Sequence, residues 1–274
     1  MIVFIVKYIL SFSPLLMGVA AASTEKVADI QFFGDVFLPQ HILPTSPSSP
    51  QPPELFHDSA NVLALARHNV ANFEGVATDA FIPYDTKRFR LRMPLIVASV
   101  LKDAGIDVVT LANNHSLDFG FQGLFDTMRA MAQAGVDFAG AGVNRDGAEQ
   151  PLYIPAGAHT LCLLAFSRTL PTSFWATDSR SGTAFADQER LRTRVKTCAA
   201  AGFYTIVAVH WGQESLDHPL PYQRLLGHVA IDAGARLVIG HHPHVLQSME
   251  VYKGRPIFFS LGNFAFGSSP MGTE

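Results

Sequence analysis

The stretch IDVVTLANNHSLDFGFQGLFDTMRAMAQAG, Ile106–Gly135, shows the unit from which the chain is built. Its first residues form a short β-branched apolar run, which predicts a buried strand. The run ends in a polar cluster, Asn113-Asn114-His115. Next come Phe121, Leu124, Phe125, Met128 and Met131, spaced for one face of a helix, and Gly135 closes it. Strand, polar turn and returning helix together predict a parallel α/β arrangement.

The unit recurs on both sides. Upstream, VADIQFFGD (27–35) and HNVANFEG (68–75) predict strands that end in polar turns, and PLIVASVLKDAG (94–105) a helix with Pro94 near its start. SANVLALAR (59–67) predicts a short helix. Downstream, VDFAGAG (136–142), HTLCLLAFS (159–167), FYTIVAVHWG (203–212) and ARLVIGHHPH (235–244) predict strands. ADQERLRTRVKTCAAAG (186–202) and YQRLLGHVAIDAG (222–234) predict the helices between them, and MEVYKGRPIFFSLGNF a hairpin turning at Lys253-Gly254. No longer period repeats, which argues against a solenoid. The segment 39–53 holds six prolines, too many for a helix or central strand, and reads as an insertion or lid.

The chain has 274 residues, 48% hydrophobic and 16% charged, with a formal charge of −3. One large α/β core fits that length. The slight negative charge and the lack of a long basic block argue against nucleic acid as a partner. Residues 1–22 carry one charge, Lys7, then an apolar run and three alanines. This pattern reads as a secretory signal or, uncleaved, as an N-terminal anchor. The expected location is therefore exported: periplasmic or at the cell surface. Residues 27–274 form the expected domain. Of the two cysteines, Cys162 lies in an expected strand and Cys198 in an expected helix. Export would permit a disulfide between them. The reading adopted is a pair of free buried thiols.

The polar residues share one position. Asp35, Glu74, Asn114 with His115, His210, and His242 with His244 each follow an apolar strand. Ligands of open α/β sheets bind at the carboxyl ends of the strands, so distant segments can converge there. Carboxylates, an amide and imidazoles without a thiolate suit one or two divalent ions of the manganese, zinc or iron type. A bridging carboxylate could serve two such ions, and a histidine off the metal could move a proton. Taken singly, each residue also has a structural reading, as a turn residue, a helix cap or a hydrogen-bonded histidine. The remaining histidines read as surface or packing residues, with His218 close enough to the site loop for a substrate contact.

GDVF (34–37), NFEG (72–75), LANNHSLDFG (111–120), VHWGQE (209–214), GHHPHVLQ (240–247) and SLGNF (260–264) occur here in an order that resembles the bacterial capsule-synthesis CapA (PGA_cap) family. That family is linked to poly-gamma-glutamate capsule synthesis, export or anchoring, and itself resembles a divergent branch of the calcineurin-like metallophosphatases. The resemblance implies a four-layer α/β/β/α sandwich with a metal site at one end. It implies metal ligands Asp35, Glu74, Asn114, His210, His242 and His244, with His115 as proton donor and Asp118 orienting it or capping the next helix. One ion would use Asp35, Glu74 and His244; the other Glu74, Asn114, His210 and His242. His241 would take a supporting or substrate-contacting role, as would Glu214, and Asn263 would lie at the site edge. The metallophosphatase Asp-x-His motif is Asp35-Val36-Phe37 here, so one histidine ligand is missing. KRFRLR (87–92) could face an anionic polymer such as poly-gamma-glutamate through Lys87, Arg88, Arg90 and Arg92, or be a solvated strand edge. The implied function is an exported, metal-dependent hydrolase-like enzyme acting on a cell-surface polymer. The alternative is a non-catalytic polymer-binding or assembly factor working with capsule-synthesis membrane proteins.

Overall fold

Fifteen strands and helices carry the site and its supports, and their apolar residues dictate a layered packing. The computed structural model describes residues 4–6, 26, 28–43, 54–84, 87 and 89–267. The expected signal or anchor, apart from 4–6, lies outside the described residues, as do 44–53 of the proline-rich insertion and Arg88. In chain order the main elements are β1 (Ala28–Phe37), β2 (Ala66–Phe73), α1 (Val97–Asp103), β3 (Val108–Thr110), α2 (Gly120–Ala134) and β4 (Asp137–Ala139). Then come β5 (Leu152–Ala156), β6 (His159–Ser167), α3 (Gln188–Ala200), β7 (Tyr204–His210), α4 (Pro221–Asp232) and β8 (Leu237–His241). The hairpin β9 (Met249–Tyr252) and β10 (Arg255–Phe258) precedes β11 (Asn263–Phe266).

Strands β1 to β4 lie side by side in parallel. The outer edge of β1 is shared: residues 4–6 pair with its first half and β11 with its second. The second sheet runs β9-β10-β8-β7-β6-β5, with β6, β7, β8 and β10 parallel. Parallel strands buried on both faces read as continuous apolar runs, and β6 shows why. Leu161, Leu163 and Ala165 pack between the two sheets against Ile30, Phe32 and Val70. Cys162, Leu164 and Phe166 point the other way, toward Leu191 and Val195 of α3 and Leu226 and Val229 of α4. On the far side of the first sheet, Val97 and Leu101 of α1 and Leu124 and Met131 of α2 cover Phe33, Ala71 and Val109. The result is the four-layer α/β/β/α sandwich. Among the described residues, no helix is long and apolar enough to cross a membrane.

The expectation of free thiols is overturned: Cys162 and Cys198 form a disulfide. Cys162 faces the helix layer, and Cys198 lies on the buried side of α3 with Leu191 and Val195, leaving the Cα atoms 6.3 Å apart. Strand and helix propensities alone do not reveal which faces meet. The 36-residue separation makes the bond worth roughly 3–4 kcal/mol in the chain-entropy account. The hairpin forms as expected, with Lys253 and Gly254 both at positive φ, as its two-residue turn requires.

Candidate metal centre

Parallel strands put their carboxyl ends at one end of the sandwich, and register aligns the polar residues there. Across the first sheet, Asn263, Asp35, Asn72 and Thr110 stand in one row. Across the second, Ser167, His210 and His241 stand in another. The two rows face each other. The His241 Nε2–H donates to the Phe33 carbonyl at 3.1 Å, and the His242 backbone N–H donates to Asp35 Oδ2 at 3.3 Å. His241 is thereby spent on joining the sheets; at 2% exposure it has no access to a substrate. Asp35 is not in a turn, one of its readings from sequence, because β11 pairs with β1 there and extends it. The approach is tight: a Cβ at Gly34 would lie 1.9 Å from the Gly262 carbonyl oxygen, so only glycine fits.

The expected ligands converge. Ligand atoms of Asp35, Glu74 and His244 lie within 4.8 Å of one another, and so do those of Glu74, His210 and His242. Glu74 belongs to both groups, as a bridging carboxylate would. His244 Nε2 is 3.5 Å and His210 Nε2 3.6 Å from Glu74 Oε1. Asn114 Oδ1 sits 2.8 Å from His210 Nε2, so the amide faces the same point. Phe37 contributes nothing; its ring is buried in the core against Phe266.

Two buried atoms test whether a cation fits. Glu74 Oε1 and His242 Nδ1 have no hydrogen-bond partner among the described residues. A buried unpaired carboxylate oxygen is costly unless protonated or paired. A divalent ion would satisfy both atoms, and the oxygen–nitrogen donor set suits zinc, manganese or iron.

The electrostatics agree. Burial and the neighbouring Asp35 push the Glu74 carboxyl well above the usual carboxylate range. Burial, the largest single influence, raises Asp35, but the His244 hydrogen bond, the charges of His241 and His244 and the Asn72 hydrogen bond together outweigh it and hold Asp35 low. Burial and the other histidines keep His210 well below its ordinary value, and burial with His244 brings His242 down to about 4. Both imidazoles are therefore neutral at pH 7, the form that can ligate a cation. His244 is the exception: burial opposes its charge, yet Asp35 and Glu74 hold its proton up to about 9. Its Nδ1–H also donates to Asn263 Oδ1 at 2.8 Å, which makes Asn263 an orienting residue. In the metal-free protein the raised His244 contributes stability that is fully present below the unfolded value near 6.5 and fades as pH rises through about 9. A metal must displace that proton. Ion affinity is therefore expected to climb roughly tenfold per pH unit for each proton displaced, levelling above pH 9. Calorimetric titration in buffers of different ionisation enthalpy measures the protons released. A pH-independent affinity between 6.5 and 8.5 would refute this coupling.

His115 and Asp118 stand beside the ligands. His115 Nδ1–H donates to Asp118 Oδ2 at 2.6 Å, leaving Nε2 4.0 Å from Glu74 Oε1. Asp118 orients His115 and caps no helix, since α2 has no side-chain cap. Burial, the largest influence, pulls His115 below its ordinary value against Asp118, so its resting form is neutral.

Three residues enter the site in ways the sequence did not disclose. Asn72 is the hub: its Nδ2 donates to Asp35 Oδ1 at 2.9 Å and Glu74 Oε2 at 3.4 Å, while its Oδ1 accepts from Thr110 at 3.1 Å. Its place two residues before Glu74, on the same strand face, was the available signal. Lys87, which the sequence places either toward a polymer or on a solvated edge, turns inward and donates to Asp118 Oδ1 at 2.6 Å. The Arg92 guanidinium lies over the Phe81 ring, 4.6 Å from its centroid. Glu214 also approaches the histidine pair, with ligand atoms of Glu214, His242 and His244 mutually within 4.8 Å. His218 stays outside, exposed and paired with Asp217.

Comparison with known proteins supplies the family. Residues 29–268 match the family model described as bacterial capsule synthesis protein PGA_cap. The chain is 31% identical over 245 residues to the PGA biosynthesis protein CapA of Bacillus subtilis, covering 89% of this chain and 64% of that protein. It is 36% identical over 170 residues to the capsule biosynthesis protein CapA of Bacillus anthracis, covering 61% of this chain and 41% of that one. It thus spans less than two thirds of the length of either relative. Among solved structures, a putative 5′-nucleotidase from Staphylococcus aureus shares the fold at a TM-score of 0.51 and 19% identity, over 84% of this chain and 48% of that one. A hypothetical protein from Thermus thermophilus does so at 0.50 and 16%, over 89% and 78%. On the family match, this chain is a member of the bacterial capsule synthesis protein family, PGA_cap, built on a metallophosphatase-like fold.

Proposed function

We propose that this chain is an exported, metal-dependent hydrolase-like enzyme that acts on a γ-glutamyl polymer at the cell surface. The observation that carries the reading is Glu74: fully buried, shared by two ligand groups, with Oε1 unpartnered among the described residues. A bound divalent ion supplies Lewis acidity, polarising the oxygen of the group under attack. The chain's own residues do the rest. Asp35, Glu74, Asn114, His210, His242 and His244 would hold the ions, and Asn72 keeps the two carboxylates in register. As water adds to the carbonyl carbon of the γ-glutamyl amide, His115, neutral at rest, takes the water proton at Nε2 and returns it to the amine that leaves as the C–N bond breaks, while Asp118 holds the tautomer and Lys87 neutralises Asp118. The Cys162–Cys198 disulfide and the apolar segment 1–22 support export, because disulfides persist in oxidising compartments.

One observation favours the second reading, a non-catalytic assembly factor. Phe37 leaves the Asp35 position with three protein donors. The deciding experiment strips the purified chain with chelator, reloads it with Mn, Zn or Fe(II), and follows poly-gamma-glutamate chain length. Shortening only in the reloaded sample supports the enzyme. Metal-loaded protein that binds polymer without shortening it supports the assembly factor.

A further inference from the structure

Glu214 differs from the other ligating groups. Asp35 and Glu74 are fully buried at the strand ends, whereas Glu214 is exposed on the loop after β7. Yet its carboxylate joins His242 and His244 in a group as tight as the two inner ones. The loop that carries it is fixed to the histidine loop. The Ser215 N–H donates to the carbonyl of Pro243, between the two histidines, at 2.9 Å. Ser215, His242 and His244 all hold positive φ, at 62°, 97° and 59°, which non-glycine residues adopt only under surrounding constraint. His242 is more than nine-tenths buried, and its Nδ1 lacks a partner among the described residues.

We propose that Glu214, His242 and His244 form an outer cation position at the mouth of the centre, occupied in alternation with the inner two. Alternation follows from sharing: His242 also serves the Glu74–His210 group and His244 the Asp35–Glu74 group, so an ion held outside takes donors from those inside. Two imidazoles and one carboxylate suit the same divalent ions as the inner positions. Exposure of Glu214 lets it meet a hydrated ion first, and the histidines then connect that position to the buried Glu74. The outer position is a way in for metal, and it deepens the metal-dependent reading on which it rests.

The test separates the outer position from the inner ones by removing Glu74, which both inner groups need. Cobalt(II) is titrated into metal-free wild type, Glu74→Gln and the double variant Glu74→Gln/Glu214→Gln, followed by d–d absorbance and equilibrium dialysis. Thermal unfolding checks that each variant is folded. The expected result is tight binding in wild type, one weaker ion per chain in Glu74→Gln, and a further loss of about 10–100-fold in the double variant. If Glu74→Gln holds no ion, or the double variant binds as well as the single, the outer position does not exist, although the inner centre stands. If wild type binds no cobalt, the metal-dependent reading falls and takes this proposal with it.

Discussion

Glu74→Gln is expected to abolish tight divalent binding at both inner positions, weakening it by about 100-fold or more, and to reduce polymer cleavage to background. Glu74 alone belongs to both inner groups, so no other single change removes a ligating group from both. The variant is also a clean one. Burial and Asp35 already favour the protonated, neutral Glu74, and glutamine keeps that shape and charge. The metal-free variant is therefore expected to unfold at or slightly above the wild-type temperature, while losing the stabilisation that added metal gives wild type. Metal analysis after dialysis, with paired melting curves, provides both readouts. Full occupancy of two ions in this variant would refute the bridging role.

The second large effect concerns His115. Replacement by alanine is expected to lower kcat by about 10²–10⁴-fold while leaving metal content unchanged, because the proposed role of His115 is to move a proton and not to hold an ion. Asp118→Asn is expected to lower kcat through the imidazole it orients: the carboxylate accepts the Nδ1–H at 2.6 Å, and an amide can present a donor there instead. Asp118 also accepts from Lys87 and from the Leu91 backbone, so the asparagine variant loosens the 87–91 segment as well. The KM-against-kcat split distinguishes the two consequences. A His115→Ala variant that cleaves polymer at the wild-type rate would remove His115 from the chemistry.

The strand-end placement of Asp35, Glu74 and His210 was legible in the sequence because it is a local signal. An apolar run that stops at a polar residue is visible in VADIQFFGD, HNVANFEG and FYTIVAVHWG alike, and parallel strands must bring such ends to one side. Among the described residues, His242 and His244 enter the convergent groups and His241 enters none, because its ring joins the two sheets instead. The free-thiol reading failed, since pairing depends on which face of β6 meets which face of α3. Lys87 departs from both readings of the basic stretch for a similar reason: an extended KRFRLR has no inherent direction, and Asp118 drew Lys87 inward.

By itself, the sequence determined the alternation of strands and helices, the apolar faces, the polar residues at the strand ends and the family motifs, because each depends on residues near one another in the chain. Only the tertiary structure decided that the two sheets bring Asp35 and His242 together across 207 residues, that Asn72 links the carboxylates, that Cys162 meets Cys198, and that Glu214 reaches the histidine pair. Those contacts are set by sheet register and by the packing of one layer on another. Local propensity is blind to both, because neither exists until the layers close.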